Sequence, residues 1–335
     1  MNAPVIELRQ PKDYATDQEV RWCPGCGDYA ILKAVLKALA ELQADPAQTV
    51  FVSGIGCAAR FPYYVETYGF HTIHGRAPAF ATGIKLANPE LDVWVVGGDG
   101  DLLSIGGNHL IHALRRNLDL QILLFNNEIY GLTKGQASPT SRRGTRSPST
   151  PQGSLDTPLS ALKLALGAGA RFVARGIDTQ QKLLPELLKR ARAHKGSALV
   201  EILQNCIVYN DGVFEGITAK ASEPEAQLHL VHGEPLLFGA GRGKGLRLAA
   251  GGFGLEIAPA DDPGILKHDE TNPQLAALLA ALEPPMPVAI GVLLDHPAAA
   301  YETQVAGLEA AETDRLRTTS LNSLLRQGAT WSAPG

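Results

Sequence analysis

Short runs of consecutive apolar residues alternate, over the first two thirds of the chain, with longer stretches whose apolar positions recur every three or four residues. The runs are Thr49–Ser53 (TVFVS), Val93–Gly97 (VWVVG), Leu120–Phe125 (LQILLF) and Ala198–Gln204 (ALVEILQ). Each is apolar at successive positions, which predicts strands buried on both faces. Between them, Ile31, Leu32, Val35, Leu36, Leu39 and Leu42 repeat at helical spacing behind Asp28, which reads as an N-cap. Further helices are expected over 104–116, over 158–168 behind Thr157-Pro158, and over 179–194. Buried strands joined by helices predict an α/β fold, a mostly parallel sheet with helices on both faces. Ligands of such sheets bind beyond the carboxyl ends of the strands. Those ends carry Gly54-Ile55-Gly56-Cys57, Gly98-Asp99-Gly100-Asp101, Asn126-Asn127 and Asn205-Cys206. The unusual chemistry therefore falls on one edge of one sheet.

The remainder is organised differently. Residues 134–157 are rich in Ser, Thr, Pro, Gly and Arg and read as a long functional or mobile loop. Beyond it, Glu234–Leu248 suggests a hairpin, Pro273–Leu282 a short helix and Pro287–Asp295 a strand. The expected division is a ligand-binding domain over 1–220 and a C-terminal extension over 221–335, an arm contacting another subunit.

Composition narrows the function. The 335 residues carry a net charge of −4, so no nucleic-acid partner is expected. Neither a secretory leader nor an apolar run long enough for a membrane span is visible, which makes the cytoplasm the expected address. Four cysteines in a chain of this length form no disulfide framework; kept reduced and clustered, they point to metal or catalysis.

Asp99 and Asn127 are 28 positions apart, each just beyond a predicted strand. Gly98 and Gly100 would let a phosphate approach the backbone, and the following helix would offer it free N–H groups. A diphosphate needs a hard cation, and Mg2+ takes about six oxygens. Asp99 supplies a carboxylate, Asn127 an amide oxygen and Ile129 a backbone carbonyl. Asp101 either caps the helix or touches the cofactor. Cys23-Pro24-Gly25-Cys26 forms a ligand hairpin, and Cys57 and Cys206 follow strands at the same edge. Four thiolates suit tetrahedral Zn2+ or a [4Fe–4S] cluster.

Gly-Asp-Gly followed by Asn-Asn resembles the metal and diphosphate signature of thiamine-diphosphate enzymes. Trp22-Cys-Pro-Gly-Cys-Gly-Asp28, Ser53-Gly-Ile-Gly-Cys57, His71–Lys85 and Asn126–Gln136 resemble more narrowly the β subunits of 2-oxoacid:ferredoxin oxidoreductases, most of all those acting on 2-oxoglutarate. The likeness spans residues 15–220. It implies a thiamine-diphosphate-binding fold with Mg2+ held by Asp99, Asn127 and Ile129. It implies one [4Fe–4S] cluster on Cys23, Cys26, Cys57 and Cys206. Ile55, Gly56, His74 and Gly75 would lie against the cofactor, with His74 the candidate catalytic side chain. Tyr130, Gly131, Leu132 and Thr133 would line the diphosphate and the reactive ring.

The implied reaction converts 2-oxoglutarate and coenzyme A to succinyl-CoA and CO2, with two electrons leaving singly to ferredoxin. Arg60 and Lys134 are candidates for the distal carboxylate of the substrate. Arg142, Arg143 and Arg146 form a basic run on the long loop, either a solvated stretch or a patch that steers an acidic ferredoxin. No second α/β domain of suitable size is apparent, so an α subunit must bring the pyrimidine-binding half and its activating glutamate. Pyruvate is the alternative substrate. Two other classes fit parts of the pattern: a non-redox thiamine decarboxylase or synthase with structural zinc, and an iron–sulfur subunit that binds no thiamine.

Overall fold

Strands β1 (Thr49–Ser53), β2 (Tyr68–His71), β3 (Asp92–Gly98), β4 (Leu120–Asn126), β5 (Phe172–Ile177) and β6 (Ala198–Leu203) are mutually parallel in a computed structural model of the chain. The structure describes residues 8–317, 319–329 and 331; residues 1–7, part of the segment read for a leader, lie outside it. Helix α1 (Asp28–Glu41) precedes β1, and helices α2 (Ala77–Ala87), α3 (Asp99–Leu103), α4 (Gly107–Arg116), α5 (Ala161–Gly167) and α6 (Leu183–Ala193) lie in the connections from β2 onward.

Period-two alternation puts the two faces of each strand into separate apolar layers. Val50, Val52, Val93, Val95, Ile122 and Leu124 face the layer that α2, α4 and α5 cover. Phe51, Trp94, Val96, Leu123 and Phe125 face the layer that α1 and α6 cover. The second layer holds most of the aromatic bulk, with Phe51 stacked on Trp94 at 5.7 Å.

The region after 220 contributes to the same sheet. After β7 (Gln227–His229) come β8 (Leu237–Phe238), β9 (Lys244–Leu248) and β10 (Leu255–Pro259), which form a small antiparallel sheet. β11 (Val288–Asp295) then lies antiparallel beside β5, and β7 pairs with β11. The central order is β2-β1-β3-β4-β6-β5-β11-β7. The chain thus passes the expected boundary at 220 and returns to the central sheet. The irregular part of the tail is smaller than composition suggests; the exposed helix Tyr301–Leu316 follows it. Among the described residues no helix is long and apolar enough to cross a membrane.

Three local expectations change. Asp28 is the first helical residue and not the cap, a place Gly27 takes. The helix expected over 104–116 is broken: α3 ends at Leu103, Ser104 leaves helical geometry, and α4 starts at Gly107. The break lets Gly106 lie against Gly75, where a Cβ on Gly75 would come within 2.4 Å of the Gly106 nitrogen. The helix expected from Pro158 starts at Ala161, because the Leu159 N–H is tied to the Pro139 carbonyl and Ser160 is the cap.

Candidate functional site

β1, β3, β4 and β6 stand side by side, so the loops at their carboxyl ends meet. Between them lies a pocket of about 140 Å3, lined among others by Ile55, Gly56, Cys57, His74, Gly98, Asp99, Gly100, Asp101, Asn127, Ile129 and Tyr130–Thr133. Pockets that bury a whole small ligand hold roughly 300–1,000 Å3. This one has the size of half a site.

Asp99 opens α3 and is 1% exposed. Its Oδ2 accepts from Ser138 Oγ and Thr140 Oγ1, both at 2.5 Å. Burial pushes its carboxyl up to about 6, against the lowering pull of those hydroxyls. Asn127 Oδ1 accepts from the Ile129 N–H at 3.1 Å, an Asx turn that brings residues 127 and 129 to the same side. Asp101 does not cap the helix. Its Oδ1 accepts from the N–H groups of Ile55 (3.2 Å) and Gly75 (2.8 Å), stitching the β1 loop to the turn before α2. Its Oδ2 has no partner. Gly100 serves a different purpose from Gly98. A Cβ there would come within 2.1 Å of the Tyr130 ring, whose hydroxyl donates to the Gly100 carbonyl. A Cβ on Gly98 would make only an ordinary contact with the Phe125 carbonyl oxygen, at 3.9 Å.

Cys57 lines this pocket, and Cys23, Cys26 and Cys206 lie near enough to interact with it electrostatically. Burial raises the Cys57 thiol to about 12, reinforced by Asp28, Cys206 and Cys23. Burial also raises Cys26, reinforced by Asp28, Cys57 and Cys206. A Cβ on Gly131 would lie 3.6 Å from the sulfurs of both Cys57 and Cys206. Among the described residues no three His, Cys, Asp or Glu side chains are grouped closely enough to share one metal ion.

The donor set suits cationic cofactors. Asp28 is 1% exposed, lines the pocket, and leaves both carboxylate oxygens unpartnered. Burial moves it up to about 7. Together with Asp99 and Asp101 it makes a buried acidic group with no ion pair among the described residues, and such groups are costly until a full countercharge arrives. Asp99, Asn127 and the Ile129 carbonyl fit a hard divalent ion, and four converging thiols fit a thiophilic centre.

Other expected residues are placed less centrally. His74 is exposed at the pocket mouth and helps lower the Asp101 carboxyl, whose net shift is upward through burial. Arg60 lines an adjoining cleft of about 550 Å3 that shares Ile55, Gly56 and Leu132 with the pocket. Lys134 sits exposed in a turn at φ 74° and lines neither cavity. Arg142 is turned inward, its Nε on Glu128 at 2.9 Å and its Nη2 on the Val213 carbonyl, so it is not a free steering cation. Ser138, Thr140 and Gln204 were missed by motif reasoning. The hydroxyl-rich composition of residues 134–157 was the available signal for the first two.

Fold and site together define a domain of the thiamine-diphosphate enzymes. Residues 54–202 match the family described as thiamine pyrophosphate enzyme, C-terminal TPP binding domain. The chain is 56% identical over 274 residues to the 2-oxoglutarate oxidoreductase subunit KorB of Mycobacterium tuberculosis, covering 80% of this chain and 73% of that one. It is 55% identical over 198 residues to the 2-oxoacid:ferredoxin oxidoreductase 1 subunit beta of Aeropyrum pernix, covering 59% and 62%. Among solved structures, a chain of the 2-oxoglutarate:ferredoxin oxidoreductase from Magnetococcus marinus, with 2-oxoglutarate, coenzyme A and succinyl-CoA bound, superposes with a TM-score of 0.78 at 33% identity over 98% of both chains. The chain belongs to the family of 2-oxoacid:ferredoxin oxidoreductase β subunits, in its 2-oxoglutarate oxidoreductase branch.

Proposed function

We propose that this chain is the β half of an enzyme that converts 2-oxoglutarate, coenzyme A and two oxidised ferredoxins to succinyl-CoA, CO2 and two reduced ferredoxins, reversibly and in the cytoplasm. The observation that carries the proposal is that Asp99, Asn127 and Ile129 line one small pocket together with Cys57, which has Cys23, Cys26 and Cys206 as electrostatic neighbours. Pyruvate is the runner-up substrate.

Asp99, Asn127 and the Ile129 carbonyl would hold Mg2+ against the diphosphate. Cys23, Cys26, Cys57 and Cys206 would hold a [4Fe–4S] cluster, with thiolate donors of the kind such a cluster takes. Bound thiamine diphosphate supplies a nucleophilic carbon for the keto group and an electron sink for loss of CO2. This chain's residues do the rest. The backbone at Ile55 and Gly56 would form the cofactor wall, with Gly75 held behind it by its N–H bond to Asp101. Tyr130 closes the diphosphate end, with Gly131, Leu132 and Thr133 beside it. His74 stands at the mouth, positioned to exchange a proton with substrate. Arg60 would receive the distal carboxylate in the adjoining cleft.

The missing half of the pocket belongs to an α subunit. Support comes from the exposed apolar rim beside it: Tyr63, Tyr68, Phe70, Ile73, Phe80 and Ile105 are each between 45% and 64% exposed. Patches of this kind mark protein interfaces. The region after 220 would add further subunit contacts.

Anaerobic absorption and EPR of the αβ complex, before and after 2-oxoglutarate and coenzyme A, test the proposal. A cluster reduced by substrate supports it. A colourless zinc protein, or a cluster that substrate cannot reduce, overturns it. Alone, the chain is expected to carry iron without turnover. Arg60→Ala is expected to raise KM for 2-oxoglutarate about 10- to 150-fold, the loss of one charged hydrogen-bond pair, and to leave pyruvate nearly unaffected.

A further inference from the structure

One buried side chain touches both halves of the site. Gln204, directly after β6, is 1% exposed. Its Oε1 accepts from Asn127 Nδ2 at 2.8 Å. Its Nε2 donates to the Asn205 carbonyl at 2.6 Å and to Cys26 Sγ at 3.3 Å. A carbonyl can only accept, so the Asn205 contact establishes which end of the amide carries nitrogen. The side chain is also closely confined. The Gly27 N–H donates to the same Asn205 carbonyl, and a Cβ on Gly27 would lie 2.9 Å from Gln204 Cγ and 2.0 Å from Asp178 Oδ2. The Gln204 N–H donates in turn to the Asn126 carbonyl. The amide is therefore held between a proposed metal ligand and a proposed cluster ligand.

We propose that Gln204 is a positioning residue that couples the metal–diphosphate half of the site to the cluster half. The inference rests on the cofactor assignment made above and goes beyond it. A cation on Asn127 Oδ1 withdraws charge from that amide and makes its Nδ2–H a stronger donor. Gln204 Oε1 then accepts more strongly, and its own Nε2–H becomes a stronger donor to Cys26, because linked hydrogen bonds polarise one another. A stronger N–H···S bond favours the more negative, reduced cluster and raises its potential. Coupling of binding equilibria is reciprocal, so reduction must tighten cofactor binding by the same factor. No proton is transferred and no bond is broken. The effect is electrostatic and passes through two amides.

The test uses the αβ complex with its cluster loaded. Potentiometric EPR is run with and without thiamine diphosphate and Mg2+. In the natural protein, loading is expected to raise the cluster potential by the equivalent of a three- to tenfold gain in cofactor affinity, where tenfold corresponds to about 59 mV for one electron. Gln204→Glu keeps an acceptor toward Asn127 and replaces the donor to sulfur; Gln204→Met removes both. Each is expected to lower the potential of the unloaded cluster and to abolish the loading-dependent shift. A merely structural role would lower occupancy without moving the potential of the clusters that remain. An equal shift in natural and substituted complexes overturns the coupling. So do equal cofactor affinities of the oxidised and reduced natural complex, a measurement that needs no variant. Absence of any EPR-active cluster in the natural complex is the separate result that removes the cofactor assignment beneath the proposal.

Discussion

The two ends of the central sheet treat buried charge in opposite ways. At the amino end of the parallel strands, acids and bases are matched within the chain. Asp295 receives His194 Nδ1 at 2.8 Å and Arg190 at 3.2 Å, and Arg190 also reaches Glu270 at 2.9 Å. Lys85, 4% exposed, donates to the Leu91 carbonyl and to Asp119. Burial alone would raise the Asp295 carboxyl, but the hydrogen bond and charge of His194, with Arg190, bring it below the usual carboxylate range. At the carboxyl end, Asp28, Asp99 and Asp101 are buried and form no ion pair among the described residues; His74 and His71 pull Asp101 down, but burial outweighs them and raises all three. Matched charges hold an architecture in place. Unmatched acids mark the place where positive charge must come from outside the chain.

The largest effect expected from this contrast is on cofactor affinity. Asp99→Asn keeps the shape and removes the charge. Losing one partner of a buried charge pair costs roughly 3–5 kcal/mol, which is about 150- to 5,000-fold in Mg2+-dependent thiamine diphosphate affinity. Asp295→Asn at the other end is expected to leave that affinity within experimental scatter. Calorimetry on both variants decides it, and comparable losses in the two would dissolve the distinction.

Ser138→Ala combined with Thr140→Val removes the hydroxyls that orient Asp99. Residues supporting a metal ligand typically matter about 10- to 100-fold in affinity or activity. A loss of this size, regained when only Thr140 is restored to Ser, would sharpen the role of the long loop. No loss would return these hydroxyls to simple packing.

Stability separates the ends next. Asp295→Asn is expected to cost about 1–3 kcal/mol through the partners it strands, read as a lower Tm in the metal-free chain.

The smallest effect is the pH profile, and its sign differs between the ends. Asp99 is raised to about 6 from an unfolded value near 3.9. Its contribution to stability is therefore full below about pH 3.9 and is lost as pH rises through about 6. Asp295 is lowered, so its contribution is present above about pH 3.9 and is lost as pH falls through its folded value. In the metal-free chain, Asp99→Asn should flatten the decline in Tm between about pH 4 and 6, and Asp295→Asn the decline below about pH 4. Identical profiles for the two variants would remove the proposed difference between the ends.

Much of the site was legible from residue order. Gly98-Asp99-Gly100, Asn126-Asn127 and Cys23-Pro24-Gly25-Cys26 are local motifs, and each strand end delivers its motif within a few residues. The expected strand at Thr49–Ser53 coincides with β1 in the structure. Contacts between distant segments were not legible. Asp28 looked like a cap because it precedes a helical repeat, yet the chain turns one residue earlier and buries its carboxylate. Gly100 read as room for phosphate, but the ring that needs the room belongs to Tyr130, 30 positions away. The tail strands β7 and β11 could not be assigned to the central sheet, since a short apolar run carries no mark of which edge it will join.

Sequence by itself determined the alternation of buried strands and helices, which side chains stand at each strand end, and the family. Those depend on local periodicity and covalent spacing, which the order of residues specifies directly. Tertiary structure alone decided that Ser138 and Thr140 rest on Asp99, that Gln204 joins Asn127 to Cys26, and that Asp28, Asp99 and Asp101 are buried at the carboxyl end without an ion pair among the described residues. These contacts span tens of positions or more. They exist because β1, β3, β4 and β6 pack side by side, and strand order is set by how whole faces bury together.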